Sequence, residues 1–300
     1  MNKMPQINLY HHDETPSPLQ LVWKSYRARF LSMAALYVLL AMILVVVLSP
    51  LLAPFNTSAQ FSDAIALPPS WVETGNMKYL FGTDDLGRDM LSRLLIGGLY
   101  SLGLPILMVA VSSLIGMSIG ALAGIDRTIK YQSLSRLFDT LLSIPSFLMA
   151  LIIIAILGTG FNNVAFAITL SLIPQFIFVT RNAVHEEWHK DYVTASRLNG
   201  CSKAYLLYRV ILPNVTPTLV MQLTVSLSVA IMDIAALSFL GLGIQAPTPE
   251  WGSMLARSLD EVYLSPWSMV LPGVTLFITI MAINIVGDSL RRALKERVNS

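Results

Sequence analysis

The sequence predicts an all-α polytopic membrane protein with six transmembrane helices, and three observations predict it. Hydrophobic residues make up 54% of the 300-residue chain and charged residues only 13%, where a soluble globular domain carries about 25% charge. Uncharged stretches run over 30–62, 94–125, 140–180, 210–232 and 262–287, and roughly 20 apolar residues suffice to cross about 30 Å of hydrocarbon. The basic residues divide unevenly between the two sides that six spans would create: sixteen of the 20 fall on one side.

The elements follow in order. Residues 1–29 are polar, with Pro5, Pro16 and Pro18, and lead to an interfacial helix near Leu19–Arg29. The first apolar run begins at Phe30, whereas a secretory signal has a core of roughly 7–15 residues nearer the start. The 30–52 segment therefore reads as a retained anchor helix. A 53–98 loop precedes a second span over 99–124. The third run, 41 residues long, exceeds one helix and breaks at the turn-rich Gly158–Asn163. This gives spans over 138–157 and 164–183. Spans over 214–238 and 267–287 and a 291–300 tail complete the chain, with a polar 184–213 loop inside a 99–290 core.

The charge count orients these spans. Lys3, Lys24, Arg27, Arg29, Arg127, Lys130, Arg136, Arg181, Lys190, Arg197, Lys203, Arg209, Arg291, Arg292, Lys295 and Arg297 share one side; Lys78, Arg88, Arg93 and Arg257 hold the other. Because basic loops stay in the cytoplasm, both termini and the 184–213 loop are expected there.

Composition also excludes function classes. A net charge of +2 argues against a nucleic-acid binder. The single Cys201 forms no intramolecular disulfide or cysteine-cluster metal site. His11, His12, His185 and His189 lack a metal-ligand motif and read as interfacial or solvated. No G-x-x-x-x-G-K-S/T phosphate loop, nucleophile elbow or paired-carboxylate motif occurs. No catalytic residue, cofactor or metal is therefore expected, and if the chain transports a solute actively, the energy must come from another chain or an ion gradient.

In the 184–213 loop, Gly200 can end a helix over Tyr192–Asn199 because glycine accepts the left-handed cap conformation. Ser202 can cap a second helix, which Leu212-Pro213 would redirect into the fifth span. The lack of bulk at Ala195, Ser196 and Gly200 would let a partner's groove approach. Gly116, Gly120 and Gly124 repeat every fourth residue and suit a close helix contact, within the bundle or across a dimer. Pro105, Pro145, Pro174 and Pro272 are expected to kink spans.

Among ionisable residues near spans, Asp139 and Arg181 fit snorkelling ends and Asp288 fits the N-cap of a basic tail helix. Asp233 is the deepest; it suits the translocation path, meeting a peptide amine or polyamine, a hydrogen bond to a neighbouring helix, or an interfacial position near the external end of the fifth span. Outside, Gly82–Arg93 reads as an amphipathic interfacial helix with internal salt links. Asp84, Asp85, Arg88 and Asp89, with Glu250 and Trp251, are the candidate docking surface for a binding protein. Trp251 and Trp267 also suit an interfacial position.

Two sets of residues carry a family resemblance. Thr194-Ala195-Ser196, three residues, Gly200, nine residues, then Val210-x-Leu212-Pro213 resembles the ATPase-coupling loop of ABC importer permeases. That pattern reads E-A-A, three residues, Gly, nine residues, Ile-x-Leu-Pro, so Thr194 stands where the family has Glu and that glutamate's role does not transfer. Gly82–Asp89, Leu91–Arg93, Asp191–Arg197, Leu237–Gly243, Pro247–Gly252 and Gly287–Arg292 resemble, in family order, the second (C-type) permease subunit of dipeptide/oligopeptide ABC transporters. Asp139–Ser146, Ser265–Trp267 and Met269–Gly273 look most like its Sap-type branch, associated with antimicrobial-peptide sensitivity.

The resemblance implies a type I permease fold, with a five-helix core plus the N-terminal anchor, in the bacterial inner membrane. It further implies a second homologous permease subunit, two cytoplasmic ATPase subunits and a periplasmic substrate-binding protein as partners. The expected function is peptide import by alternating access. Rival readings are the same machine with polyamine, haem or nickel as cargo, or working in export. A gradient-driven secondary transporter, which would often show repeated halves, and a membrane scaffold are the others.

Overall fold

The long apolar runs fold as helices because a segment in hydrocarbon must satisfy its own backbone N–H and C=O groups. The computed structural model describes residues 17–125, 138 and 140–299. Expectations resting on Lys3, Arg127, Lys130, Arg136 and Asp139 lie outside them.

Helix α1 (Pro18–Arg27) starts with a reciprocal capping box between Ser17 and Gln20 and with Pro18 in its first turn. Its Val22 and Tyr26 pack on Leu290, Ala293 and Leu294 near the other end of the chain. Then come α2 (Phe30–Leu52), α3 (Met90–Ile125), α4 (Ser146–Leu157), α5 (Phe161–Trp188) and α6 (Asp191–Leu198). The series ends with α7 (Lys203–Phe239), α8 (Trp251–Arg257) and α9 (Pro266–Asn299).

Among the described residues, five helices (α2, α3, α5, α7 and α9) are long and apolar enough to cross a membrane. The expected third span differs. Helix α4 has 12 residues, about 18 Å at 1.5 Å per residue, and begins at Ser146 instead of 138. Pro145 is the cause: it stands at the N-cap, and the residue before a proline is disfavoured in helical conformation. It does not kink a span from within, as the sequence suggested; it starts a short helix.

Pro105 and Pro213 behave differently. Each follows a π-helical stretch, Leu99–Gly103 in α3 and Leu206–Ile211 in α7. A widened turn removes the need for the hydrogen bond that proline cannot donate. Both helices run on, so α3 reaches back to Met90 and Leu212-Pro213 continues α7 without redirecting it. Helix α9 likewise continues through the expected tail to Asn299. Asp288 lies inside it, ion-paired with Arg292 one turn on, and is not an N-cap.

The turn Gly158–Gly160 breaks the 41-residue run where expected, with positive φ at both glycines. The glycine stripe of α3 packs against α5 of the same chain. A Cβ on Gly116 would lie 2.5 Å from Phe176 Cβ, one on Gly120 2.6 Å from Ile177 O, and one on Gly124 2.8 Å from Val184 Cβ. Only glycine lets these helices approach so closely. The α3–α5 pair, α4 and α7 enclose a core of Met108, Ile154, Ile168, Leu172, Phe176, Ile234 and Leu237. One face of the bundle carries α6 and both described chain ends; the other carries the 53–89 and 240–265 loops.

Candidate functional site

The segment between α5 and α7 is a compact unit fixed at both ends. Val193 is fully buried, packing with Trp188, Leu206, Leu207 and Ile211. Helix α6 ends in a Schellman motif: Gly200, at φ +85°, donates its N–H to Arg197 O (3.0 Å), and Cys201 donates to Ser196 O (3.3 Å). Ser202 then caps the start of α7, accepting from Tyr205 N at 3.2 Å. Both features match the reading from sequence.

A polar clasp that the sequence did not reveal holds α6 to both spans. Tyr192 OH donates to the buried Glu187 carboxylate of α5 and accepts from Asn214 Nδ2 of α7 at 2.9 Å. Lys190 Nζ lies 2.6 Å from the other Glu187 oxygen. Desolvation, then the hydrogen bond to Glu187, pushes the Tyr192 phenol up to about 12, so it stays a donor. The Arg197 guanidinium stacks over Trp188 at 5.4 Å. Force applied to α6 is thus passed to α5 and α7 together. Tyr192→Phe should loosen this joint by about 1–3 kcal/mol. Hydrogen exchange of 191–199 should speed up while the rest of the bundle is unchanged; equal exchange in both proteins would show that the clasp carries no strain.

The outward surface of the unit sets small side chains beside the exposed Tyr192, Arg197 and Leu198. Thr194, Ala195, Gly200 and Pro213 are exposed, and Ser196, Val210 and Leu212 are half-buried. Leu198 is 85% exposed, an aliphatic side chain at a helix end with no cover from its own chain. A Cβ at Gly200 would meet nothing within 4 Å. Beside α6 lies a groove of about 630 Å³ lined by His185, Trp188, His189, Arg197, Cys201 and Lys203. The two histidine rings meet edge to face, with centroids 4.4 Å apart.

On the opposite face the charged residues are buried, which corrects two readings. Gly82–Asp89 is a loop, not an interfacial helix, and Asp89 caps α3 by accepting from Ser92 N at 2.8 Å. Arg88 holds Asp84 at 2.7 Å and Asp85 at 3.4 Å, and Arg93 approaches Asp84 at 3.6 Å. The internal salt links exist, but Asp84, Arg88, Asp89, Glu250 and Trp251 are all buried. Side chains enclosed in this way offer no docking surface; of the candidates, only Asp85 is partly open.

Glu250 and Trp251 tie the 240–250 loop to α3. Glu250 accepts from Gly252 N, Ser253 N and Ser101 Oγ at 2.8–2.9 Å. The Trp251 indole lies against Gly97 and Gly98 and donates to Leu94 O at 3.0 Å, so it is a core residue and not an interfacial anchor. Asp233 in α7 is buried and accepts from Ser146 Oγ at 3.3 Å, the helix-to-helix bond that was one of its readings.

Comparisons with known proteins agree with this architecture. Residues 116–300 match the family described as binding-protein-dependent transport system inner membrane component, and residues 17–69 match the N-terminal transmembrane domain of oligopeptide transport permease C. The di/tripeptide transport system permease protein DppC of Pseudomonas aeruginosa is 42% identical over 285 residues, covering 95% of this chain and 94% of that one. The peptide transport system permease protein SapC of Escherichia coli O6:H1 is 38% identical over 291 residues, covering 97% and 98%. A chain of the inward-facing MetNI methionine ABC transporter superposes with a TM-score of 0.57 at 22% identity, over 68% of this chain and 97% of that one, which shows a shared fold.

Proposed function

This chain belongs to the binding-protein-dependent inner-membrane permeases, as a C-type subunit of the peptide-transport group, and from that premise we propose how it works. It is a permease subunit of a peptide-importing ABC transporter that acts by alternating access. Its partners are a second homologous permease subunit, two ATPase subunits and a substrate-binding protein, and ATP is hydrolysed in the ATPase subunits. The face carrying α6 is cytoplasmic, in keeping with its basic residues.

The observation that carries this reading is the rigid attachment of an exposed, small-residue helix end to two spans. Thr194, Ala195 and Gly200 allow close approach by the ATPase, Leu198 supplies an apolar anchor, and the Glu187–Tyr192–Asn214 clasp passes the ATPase's motion to α5 and α7. Val210, Leu212 and Pro213 form the return into α7. With Thr194 in the position of the family glutamate, docking here relies on shape and apolar contact more than on an acidic side chain.

The test is uptake of labelled di- and tripeptides by a host lacking this chain. The wild-type chain should restore uptake. Gly200→Trp should lower it by roughly tenfold or more, because the indole fills space that only a partner would occupy. Gly200→Asn, which tolerates the left-handed turn, should retain most of it. Undiminished peptide uptake without this chain would overturn the reading.

A further inference from the structure

We propose that Asp233, facing the broken end of α4, is where the protonated amine of a cargo peptide is recognised within the membrane. The inference rests on the peptide-import reading and adds a binding residue to it.

Among the described residues, Asp233 is the one acidic side chain set well inside a membrane-crossing helix. Glu186, Glu187, Asp288 and Glu296 all lie toward the α6 face. A carboxylate at hydrocarbon depth is costly and marks a cavity, a partner or a pathway. Asp233 has a single hydrogen bond, 3.3 Å from a neutral hydroxyl, although a carboxylate can accept about four. Its need for a partner is met only in part within this chain.

The helix break supplies the second observation. Ser146 lies 11 residues before the α4 terminus at Leu157, about 17 Å along the axis, so α4 crosses only part of a hydrocarbon layer about 30 Å thick. Ser143, Ile144 and Pro145, just before it, are exposed and not helical. Irregular backbone at that depth does not face lipid; it faces another chain or a water-filled path. Interrupted helices are a common way to build substrate sites in transporters.

A third observation gives the site a direction. Gln222, Ser226 and Asp233 lie on one side of α7, spaced four and then seven residues apart, and Gln222 Nε2 donates to the buried Ser226 Oγ at 3.0 Å. Gln222 and Ser226 both lie on the α6 side of the carboxylate. A peptide's ammonium group, with its three donors and positive charge, answers what Asp233 lacks and would displace the Ser146 hydroxyl. A free carboxyl terminus would be repelled.

Charge rescue tests the proposal in cells that carry the full transporter and take up a labelled tripeptide with a free amino terminus. Asp233→Cys and Asp233→Asn should each lower uptake by roughly tenfold or more, with the ATPase subunits still bound, and Asp233→Glu should keep most of it. Treating the Asp233→Cys cells with a sulfonatoethyl thiol reagent restores negative charge and should recover uptake. An aminoethyl reagent should not. The wild-type chain treated in the same way accounts for any reaction at Cys201.

Equal rescue by both reagents, or wild-type uptake in Asp233→Asn, would assign Asp233 a packing role only. Absence of labelling, read from the mass of the chain, would place it outside the pathway. If the wild-type transporter itself takes up no peptide, the import reading fails instead, so the two failures are distinct.

Discussion

Gly120→Leu should leave little folded protein in the membrane. A Cβ at this position lies 2.6 Å from Ile177 O, 2.9 Å from Thr180 Cβ and 3.1 Å from Arg181 N. Two of these three atoms are backbone, so no rotamer change relieves the overlap and α3 must move away from α5. Forcing extra volume into a packed contact costs about 3 kcal/mol or more, and the α3–α5 contact also supports the core around Leu172 and Phe176. Gly103 is the internal control, because a Cβ there meets nothing within 4 Å; Gly103→Ala should be tolerated. Detergent-extracted yield and melting temperature give the readout. A normal melting temperature for Gly120→Leu would mean that the two helices are not in close contact.

The second large effect is expected at Glu250. This fully buried carboxylate caps α8 and receives the Ser101 hydroxyl from the π-helical turn of α3. Burial raises its pKa, and the hydrogen bonds from Gly252, Ser253, Ser101 and Ser238 oppose that rise. Glu250→Ala removes the cap and strands several donors together, at a cost of about 3–5 kcal/mol. Glu250→Gln keeps an acceptor and the shape, and should lose less than half of that. The check is the melting temperature of the purified chain, together with protease sensitivity of the 240–250 loop. Equal stability of Glu250→Ala and the wild type would show that the loop is held by Trp251 packing alone.

These two sites show what a sequence reading reaches. The glycine stripe was legible as a close contact because spacing and residue size state it directly; that the contact is with α5 depends on the tertiary arrangement. The Gly200 turn and Ser202 cap were legible for a similar reason, since both are local and fixed by one residue's conformational freedom or hydroxyl. The spans were visible as apolar runs, but their ends were not. Pro105, Pro145 and Pro213 look alike in sequence, and only the neighbouring π-helical stretches distinguish a proline that a helix absorbs from one that starts a helix.

The charged residues of the opposite face misled for a definite physical cause. A cluster such as Asp84, Asp85, Arg88, Asp89 and Arg93 reads as solvated because an unpaired charge is seldom buried. Here the arginines and aspartates satisfy one another, and Glu250 is satisfied by Ser101, 149 residues away. Nothing in local spacing announces such a partner. The same holds for the Tyr192–Asn214 bond across 22 residues, which ties α6 to α7.

The central claim is that the α6 unit couples an ATPase to the spans, and co-purification tests it most directly. The tagged chain is extracted from its native host in mild detergent, and the accompanying proteins are identified by mass spectrometry for the wild type and for Gly200→Trp. The account predicts that the wild type brings down a homologous permease chain and ATPase subunits, while Gly200→Trp keeps the permease chain and loses the ATPases. A wild-type chain that emerges alone or as a homodimer, or a Gly200→Trp chain that retains its ATPases in full, would contradict it.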